Sequence, residues 1–274
     1  MLDKNSNQLD PVFECIATVI ENRIINQEYR HLILTAPQEA LDIKPGQFFH
    51  IQCPPMEGAI SYLRSPMSVY HFDKEAGQIE FLYKIHGKGT SAMSTLGNNN
   101  EVNILGPLGK GFWLEENWQS LMLIARGVGL ATLAPLARYA SERGKKLTAI
   151  CSARSPDLLM SLDLLRSYGA NIIPVTDADG SSSVENLELI INTFVVEQGV
   201  DAFFTCGSNR ILKLLQQICK REDIPGQIAL EQQMACGLGM CFCCVRPFFV
   251  EGKIIHRRVC NEGPVFNLME SQPW

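Results

Sequence analysis

The sequence predicts a chain of several domains: an antiparallel β-barrel, a doubly wound α/β domain and a small C-terminal segment built around a metal cluster. Three observations carry this. Short alternating apolar segments separated by turn signals fill residues 1–112. Strand-like apolar runs then alternate with helix-like stretches across 113–225. The stretch 226–274 gathers five of the ten cysteines and is too short to build a core unaided.

The barrel elements follow in order. Residues 13–25 and 30–35 alternate loosely between apolar and polar side chains. Pro45-Gly46 marks a turn before the strand pattern 47–53, and Val69-Tyr70 and 79–85 continue the pattern. Gly106 to Phe112 is a rigid glycine-rich boundary. In the second domain, 120–125, 147–151, 172–175 and 202–207 read as buried strands, while 130–143, 157–168 and 209–221 read as helices. Gly180 to Ser183 reads as a surface loop. Such alternation implies a parallel sheet with helices on both faces.

Composition bounds the function. A hydrophobic content of 46% with 19% charge suits a soluble protein with real cores. The net charge of −5 and the lack of a basic run argue against nucleic-acid binding. No stretch reaches the roughly 18 apolar residues of a membrane span. The start, Met1 to Gln8, is polar and lacks the apolar core of a signal peptide. Many cysteines without a secretion signal imply a reducing compartment, the cytoplasm, and thiols used for metal or redox chemistry.

The C-terminal cysteines carry the chemistry. Cys236, Cys241 and Cys244 have the C-x4-C-x2-C spacing of a plant-type [2Fe–2S] site, and Cys260 can close it. Gly237 and Gly239 let the loop bend and present N–H groups to cluster sulfurs. Structural zinc sites more often use paired C-x2–4-C knuckles, and only one such pair exists here. Cys243 adjoins Cys244 and is a competing ligand, but the spacing favours Cys244. A cluster of this type passes one electron at a time.

Three other motifs are weaker. Arg126-Gly127-Val128-Gly129 follows a strand and opens a helix, which suits a dinucleotide phosphate but also any βα turn. Gly87-Lys88-Gly89-Thr90 could hold a phosphate or form a plain loop. Cys206-Gly207-Ser208 ends a strand at the carboxyl edge of the sheet, where a nicotinamide could lie. No residue is assigned a catalytic role. The five histidines show no metal spacing and read as surface or hydrogen-bonded structural residues.

In this order, the motifs resemble the electron-transfer subunits of class 1B dihydroorotate dehydrogenases, within the ferredoxin-reductase superfamily. The resemblance rests on Tyr83 to Thr90, Gly106 to Gly109, the cysteine run and Arg258 to Phe266. It implies an FAD-binding barrel over 1–112, an NAD-binding α/β domain over 113–225 and a [2Fe–2S] segment over 226–274. It implies an FMN-containing or other flavoprotein catalytic subunit as partner, in a heterotetramer of two plus two. Electrons would run from the partner's FMN through the cluster to FAD, and on to NAD(H). By resemblance, Ser65, Pro66, Met67 and Ser68 carry the first flavin motif, and Leu82, Tyr83 and Lys84 the second. Gly89 and Thr90 match the flavin phosphate contact, while Gly127, Gly129, Cys206 and Gly207 match the nicotinamide site.

The departures are specific. Ser65 stands where the family has its motif arginine, and Arg64 lies one residue earlier, on the opposite face of a strand. Arg126 replaces a glycine, Thr132 a common proline and Ser208 a proline. They suggest a second reading, a paralogous subunit of a different oxidoreductase complex with an altered nicotinamide site. A third reading is a metal-stabilised binding or structural subunit without redox cofactors. Phe242, Phe248, Phe249 and Trp274 are apolar candidates for partner contact.

Overall fold

The computed structural model describes residues 11–55 and 62–273. The readings placed on Met1 to Gln8 and on Trp274 lie outside the described residues.

The first domain is a curled antiparallel sheet. Its strands are β1 (Phe13–Ile24), β2 (Tyr29–Thr35), β3 (Phe48–Ile51), β4 (Ser65–Ser68), β5 (His71–Asp73), β6 (Gln78–Lys84) and, after helix α1 (Lys88–Met93), β7 (Glu101–Leu108). Their order is β4-β3-β7-β1-β2-β6-β5. Alternation explains the core: Ala17 and Val19 of β1 point inward with Leu32, Leu34, Phe49, Ile51, Ile79, Phe81 and Tyr83. Each large aliphatic or aromatic side chain buried there contributes about 1.5–3 kcal/mol. The expected strand at Val69-Tyr70 is instead a corner. Val69 N–H donates to the Gln47 carbonyl and Tyr70 N–H to the Glu80 carbonyl, so the chain changes partner strand between them.

The sheet does not close by hydrogen bonds. β4 is one edge, and β5 pairs only with residues 78–80 of β6, leaving that side of 82–84 without a strand partner. β4 and β6 approach each other across this seam.

The second domain holds β8 (Ser120–Arg126), α2 (Gly129–Ser141), β9 (Lys146–Ala153), α3 (Leu162–Ser167), β10 (Asn171–Thr176), α4 (Val184–Gln198), β11 (Ala202–Cys206), α5 (Asn209–Glu222) and β12 (Gly226–Ala229). The strands are parallel in the order β10-β9-β8-β11-β12. Helices α2 and α3 pack one face and α4 and α5 the other. Helix α4 fills a stretch to which the sequence assigned no element. Its exposed Leu189 (65%) and Val196 (83%) blur the amphipathic pattern that would have revealed it. The helix expected over 157–168 is shorter, because Ser161 takes a left-handed conformation just before α3.

The C-terminal segment adds β13 (Val245–Val250), β14 (Lys253–Arg258), α6 (Val259–Glu262) and β15 (Val265–Asn267). β13 and β14 form a hairpin. The boundary expected at 225 falls just before β12, which belongs to the α/β sheet, and β15 joins that same sheet antiparallel to β12. The segment gains a core this way. Cys244, Phe248, Val259, Cys260 and Phe266 pack with Phe48 and Leu108 of the barrel and with α5.

Candidate functional site

The cysteine loop joins β12 to β13. Gly237 (φ +70°) and Gly239 (φ +77°) both lie in the left-handed region, where glycine carries no Cβ penalty. A Cβ on Gly239 would meet the Asn261 side chain at 2.8 Å, so the loop also needs glycine to pack on α6. The bends aim N–H groups at sulfur. Leu238 N–H donates to Cys236 Sγ at 3.3 Å, Gly239 N–H to Cys260 Sγ at 3.2 Å and Cys260 N–H to Cys244 Sγ at 3.4 Å.

The Cys241 thiol hydrogen-bonds Cys236 and the Cys244 thiol hydrogen-bonds Cys260, and Cys260 also feels the charge of Cys236. Among the described residues no three His, Cys, Asp or Glu side chains are grouped to hold one metal ion. Together the four cysteines would supply the thiolates of an iron–sulfur cluster. Burial alone would raise the Cys236 thiol, but N–H groups of Cys241, Leu238 and Met240 and the Cys241 thiol pull it down to about 6. Cys260 is pushed up to about 12, first by burial and then by Cys244. Cys244 and Cys260 are 1% exposed, whereas Cys241 and Cys243 reach the surface. Leu238, Met240 and Phe242 project from the same loop into solvent, and Phe242 stands at φ +58°. Phe249 is also exposed, but Phe248 is not a surface residue: it is fully buried, 4.4 Å from Phe266 between ring centroids.

His50 lies under this loop. It is fully buried, against the expectation for the histidines, and neither ring nitrogen has a hydrogen-bond partner among the described residues. Burial, and then the Arg64 charge, push the ring down to about 4. Of the other histidines, buried His31 meets Glu80 through Nε2 at 2.7 Å and half-buried His71 meets the Tyr168 hydroxyl through Nδ1 at 3.0 Å. The signal for His50 in the sequence was a lone histidine inside an apolar strand.

The flavin-motif residues gather at the seam of the barrel. Ser65 to Ser68 form edge strand β4. Ser65 Oγ meets Cys53 Sγ at 3.1 Å, while Arg64 turns the other way, donating to Glu14 Oε1 at 2.7 Å and to the Asn103 carbonyl at 3.4 Å. Across the seam, Leu82 and Lys84 face outward. Leu82 packs with Tyr29, Ala131 and Met160 at the domain junction, and Lys84 Nζ pairs with Glu28 Oε2 at 2.8 Å. Tyr83 points into the barrel core, its hydroxyl donating to Asn22 Oδ1 at 3.1 Å, so its side chain is withdrawn from the seam. Gly89 and Thr90 lie in the first turn of α1, and the Thr90 hydroxyl accepts from His86 N–H at 2.6 Å. A Cβ on Gly87, just before them, would meet nothing within 4 Å, which leaves open space beside the turn.

The dinucleotide motifs meet where the strand order reverses, between β8 and β11, the usual ligand crevice of such sheets. A Cβ on Gly129 would meet the Cys206 carbonyl at 2.6 Å, and one on Gly127 the Tyr29 hydroxyl at 3.1 Å. Cys206 is buried, which raises its thiol pKa, and the Thr132 hydroxyl bonds to it. Ser208 caps α5 by accepting from Ile211 N–H at 3.4 Å. Arg126 turns along the carboxyl edge, donating through Nη1 to Asp177 Oδ1 at 3.1 Å and Ser152 Oγ at 3.0 Å. Arg154 pairs with Glu28 of the barrel. A cavity of about 570 Å³ adjoins Gly207, bounded by Glu231, Gln232, Arg246 and Pro247. Glu231 keeps an exposed edge, yet the packing around it raises its carboxyl above the ordinary range. Glu231 and Tyr29 were not singled out from the sequence, because only the fold brings them to this crevice.

Comparison with known proteins fits this geometry. Residues 17–113 match the model for the oxidoreductase FAD-binding domain, and 231–271 match the iron-sulfur cluster binding domain of dihydroorotate dehydrogenase B. The electron transfer subunit of dihydroorotate dehydrogenase B (NAD(+)) from Streptococcus pneumoniae (strain ATCC BAA-255 / R6) is 32% identical over 228 residues, 82% of this chain and 85% of that one. The chain belongs to the dihydroorotate dehydrogenase B electron-transfer-subunit family. Another family member, from Geobacillus thermodenitrificans (strain NG80-2), is 31% identical over 258 residues, 92% of this chain and 96% of its own. Among solved structures, an NADH-dependent reduced ferredoxin-NADP oxidoreductase superposes with a TM-score of 0.79 at 25% identity, covering 94% of this chain and 90% of its own. The ferredoxin reductase of carbazole 1,9a-dioxygenase shares the fold, with a TM-score of 0.63 at 16% identity over 78% of this chain and 67% of its own. The chain is thus an oxidoreductase subunit of the electron-transfer kind, with FAD-binding and iron–sulfur domains. No described helix is long and apolar enough to cross a membrane.

Proposed function

We propose that the chain carries electrons between NAD(H) and an FMN-containing catalytic subunit that oxidises dihydroorotate, through FAD and a [2Fe–2S] cluster. The observation that carries this reading is the gathering of Cys236, Cys241 and Cys244 of the loop with Cys260 of α6, where backbone N–H groups meet the sulfurs of Cys236, Cys244 and Cys260. Cys236, Cys241, Cys244 and Cys260 hold the cluster, which when bound supplies single-electron transfer. The amides of Leu238 and Gly239 offset thiolate charge, and the burial of Cys244 and Cys260 excludes water from that side.

FAD, when bound, converts between single electrons and hydride. Ser65 to Ser68, Leu82 and Lys84 border it along the seam, with Gly89 and Thr90 at its phosphates. Gly127, Gly129, Cys206 and Gly207 keep the crevice open for the nicotinamide cofactor, since glycine lets backbone approach backbone there. Cys206 is a packing residue, its thiol bonded to Thr132 and withdrawn from solvent.

The exposed Leu238, Met240, Phe242 and Phe249 form the rim on which the catalytic subunit docks, in a cytoplasmic complex of two plus two. A paralogous subunit with an altered nucleotide site is the second reading, favoured by the Arg126–Asp177 pairing at the carboxyl edge.

Anaerobic purification with iron and flavin counts, and absorption spectra before and after NADH, tests the proposal. About two irons and one FAD per chain, bleached by NADH, are expected. Iron and flavin that NADH leaves oxidised would favour the second reading. A protein without either would end both.

A further inference from the structure

One carboxylate stands unpaired where the dinucleotide motifs meet. No described side chain offers Glu231 a hydrogen bond or an ion pair, and burial alone raises its carboxyl. It lines the cavity of about 570 Å³ together with Gly207. Its charge is felt at Cys206 and at Tyr29, where it raises the thiol and the hydroxyl. The Tyr29 hydroxyl in turn lies 3.1 Å from a Cβ placed on Gly127. Glu231 thus stands close to Gly127, Cys206 and Gly207 of the nicotinamide motifs. The neighbouring cations are engaged elsewhere: Lys84 and Arg154 with Glu28, and Arg126 with Asp177. Arg246, also in the cavity wall, donates to the Gln272 carbonyl at 3.2 Å. Burial alone shifts its guanidinium too, so these two charges of the wall do not pair. A carboxylate shielded from water without a cation is destabilised, and a cation that enters the cavity offsets that penalty.

We infer that Glu231 is the charge-selecting residue of the nicotinamide site: its carboxylate attracts the cationic pyridinium ring of NAD⁺ and so makes the site bind NAD⁺ more tightly than NADH. The inference rests on the nicotinamide reading given above. The two nucleotides share every group but the ring, which is a cation when oxidised and neutral when reduced. Backbone contacts at the glycine turns therefore hold both alike, whereas a fixed carboxylate favours one of them. The attraction is stronger within the crevice than in water, because less solvent lies between the charges. The same selectivity helps product to leave. A ring that has accepted a hydride is neutral, and the attraction ends with the transfer. The site is thus set for delivering electrons to NAD⁺ rather than for taking them from NADH.

The test uses the full chain, loaded with its cofactors and oxidised. NAD⁺ and tetrahydro-NAD, whose ring is neutral and gives up no hydride, are titrated calorimetrically into wild type, Glu231→Gln and Glu231→Asp. Wild type is expected to bind NAD⁺ the more tightly of the two. Glu231→Gln removes the charge and no bond of the fold. It is expected to weaken NAD⁺ about tenfold, as the loss of one charge–charge attraction in a partly shielded site, and to leave tetrahydro-NAD unchanged. Glu231→Asp keeps the charge and is expected to recover part of the preference. A Glu231→Gln protein that weakens both nucleotides alike, or neither, overturns the inference alone. A wild type that binds the neutral analogue as tightly as NAD⁺ does the same, and decides the matter should the variant fail to hold its flavin. A wild type that binds neither nucleotide overturns the nicotinamide reading beneath it as well.

Discussion

In the C-terminal loop, N–H groups of Leu238 and Gly239 point at thiol sulfurs. At the carboxyl edge of the α/β sheet, the guanidinium beside the glycine turn is directed onto Asp177 and Ser152 instead. The first region holds the cysteine spacing of a plant-type cluster site; the second carries Arg126, Thr132 and Ser208, the residues that the sequence reading set apart from the family pattern. Each of these side chains has a local partner: Arg126 in Asp177, Thr132 in Cys206, and Ser208 in the N-terminus of α5. The difference follows from how the two regions bind. A cluster is held by covalent thiolates, and each lost thiolate removes a bond to iron. A dinucleotide is held largely by backbone geometry and helix ends, so nearby side chains can change while the glycine positions stay.

The largest effect should come from the cluster side. Cys244→Ser removes a candidate ligand that is also buried in the core joining the barrel, α5 and the hairpin. Iron content should fall to near zero. The melting temperature should drop on the order of 10 °C, at about 2–4 °C per kcal/mol for a chain of this size. Full iron content in this variant would break the contrast between the two regions.

The nucleotide edge offers a sharper test. Asp177→Asn removes the charge that holds the Arg126 guanidinium, so that Arg126 can turn to meet a phosphate. NADH should then bind about tenfold more tightly, about 1.4 kcal/mol, close to the lower end of the roughly 1.5–3 kcal/mol of a hydrogen bond to a charged group. Unchanged NADH binding by titration calorimetry, together with a lower melting temperature, would make the pair a strut only.

Ser208→Ala tests whether that departure is a cap. A loss of about 1 kcal/mol is expected, seen as a fall of a few degrees in thermal melts, with NADH binding unaltered. A change in NADH affinity without a change in melting would place Ser208 in the binding site instead.

The smallest effect lies in the loop after β10. Hydrogen bonds from Ser181, and then from Thr176, hold the Asp179 carboxyl down at about 2, below its ordinary 3.8. Because the folded pKa is depressed, the stability it contributes is complete above pH 3.8 and is lost as pH falls toward 2. Wild type and Asp179→Asn should therefore differ in denaturant midpoint at neutral pH and converge near pH 2. A difference that persists at pH 2 would assign the effect to packing.

Much of the fold was legible in the residues, because its signals are local. Alternation marked the long strands 13–24 and 78–84, and short apolar runs bounded by glycine marked β8 and β11. Cysteine spacing located the loop, since ligands that share a cluster must lie close in a tight turn. Helix α4 escaped because its exposed Leu189 and Val196 break the expected face, and the corner at Val69-Tyr70 imitated a strand because each residue bonds a different partner.

By itself, then, the sequence determined the succession of barrel, α/β sheet and cysteine loop, along with the residue types at each motif. Tertiary structure alone decided which of them face a site. It turned Tyr83 and Phe248 into cores, directed Arg126 onto Asp177, and set His50 beneath Gly237. The physical reason is that a side chain's periodicity along one strand fixes only its alternation. Which face becomes core and which becomes crevice depends on how distant strands curl and pack against one another.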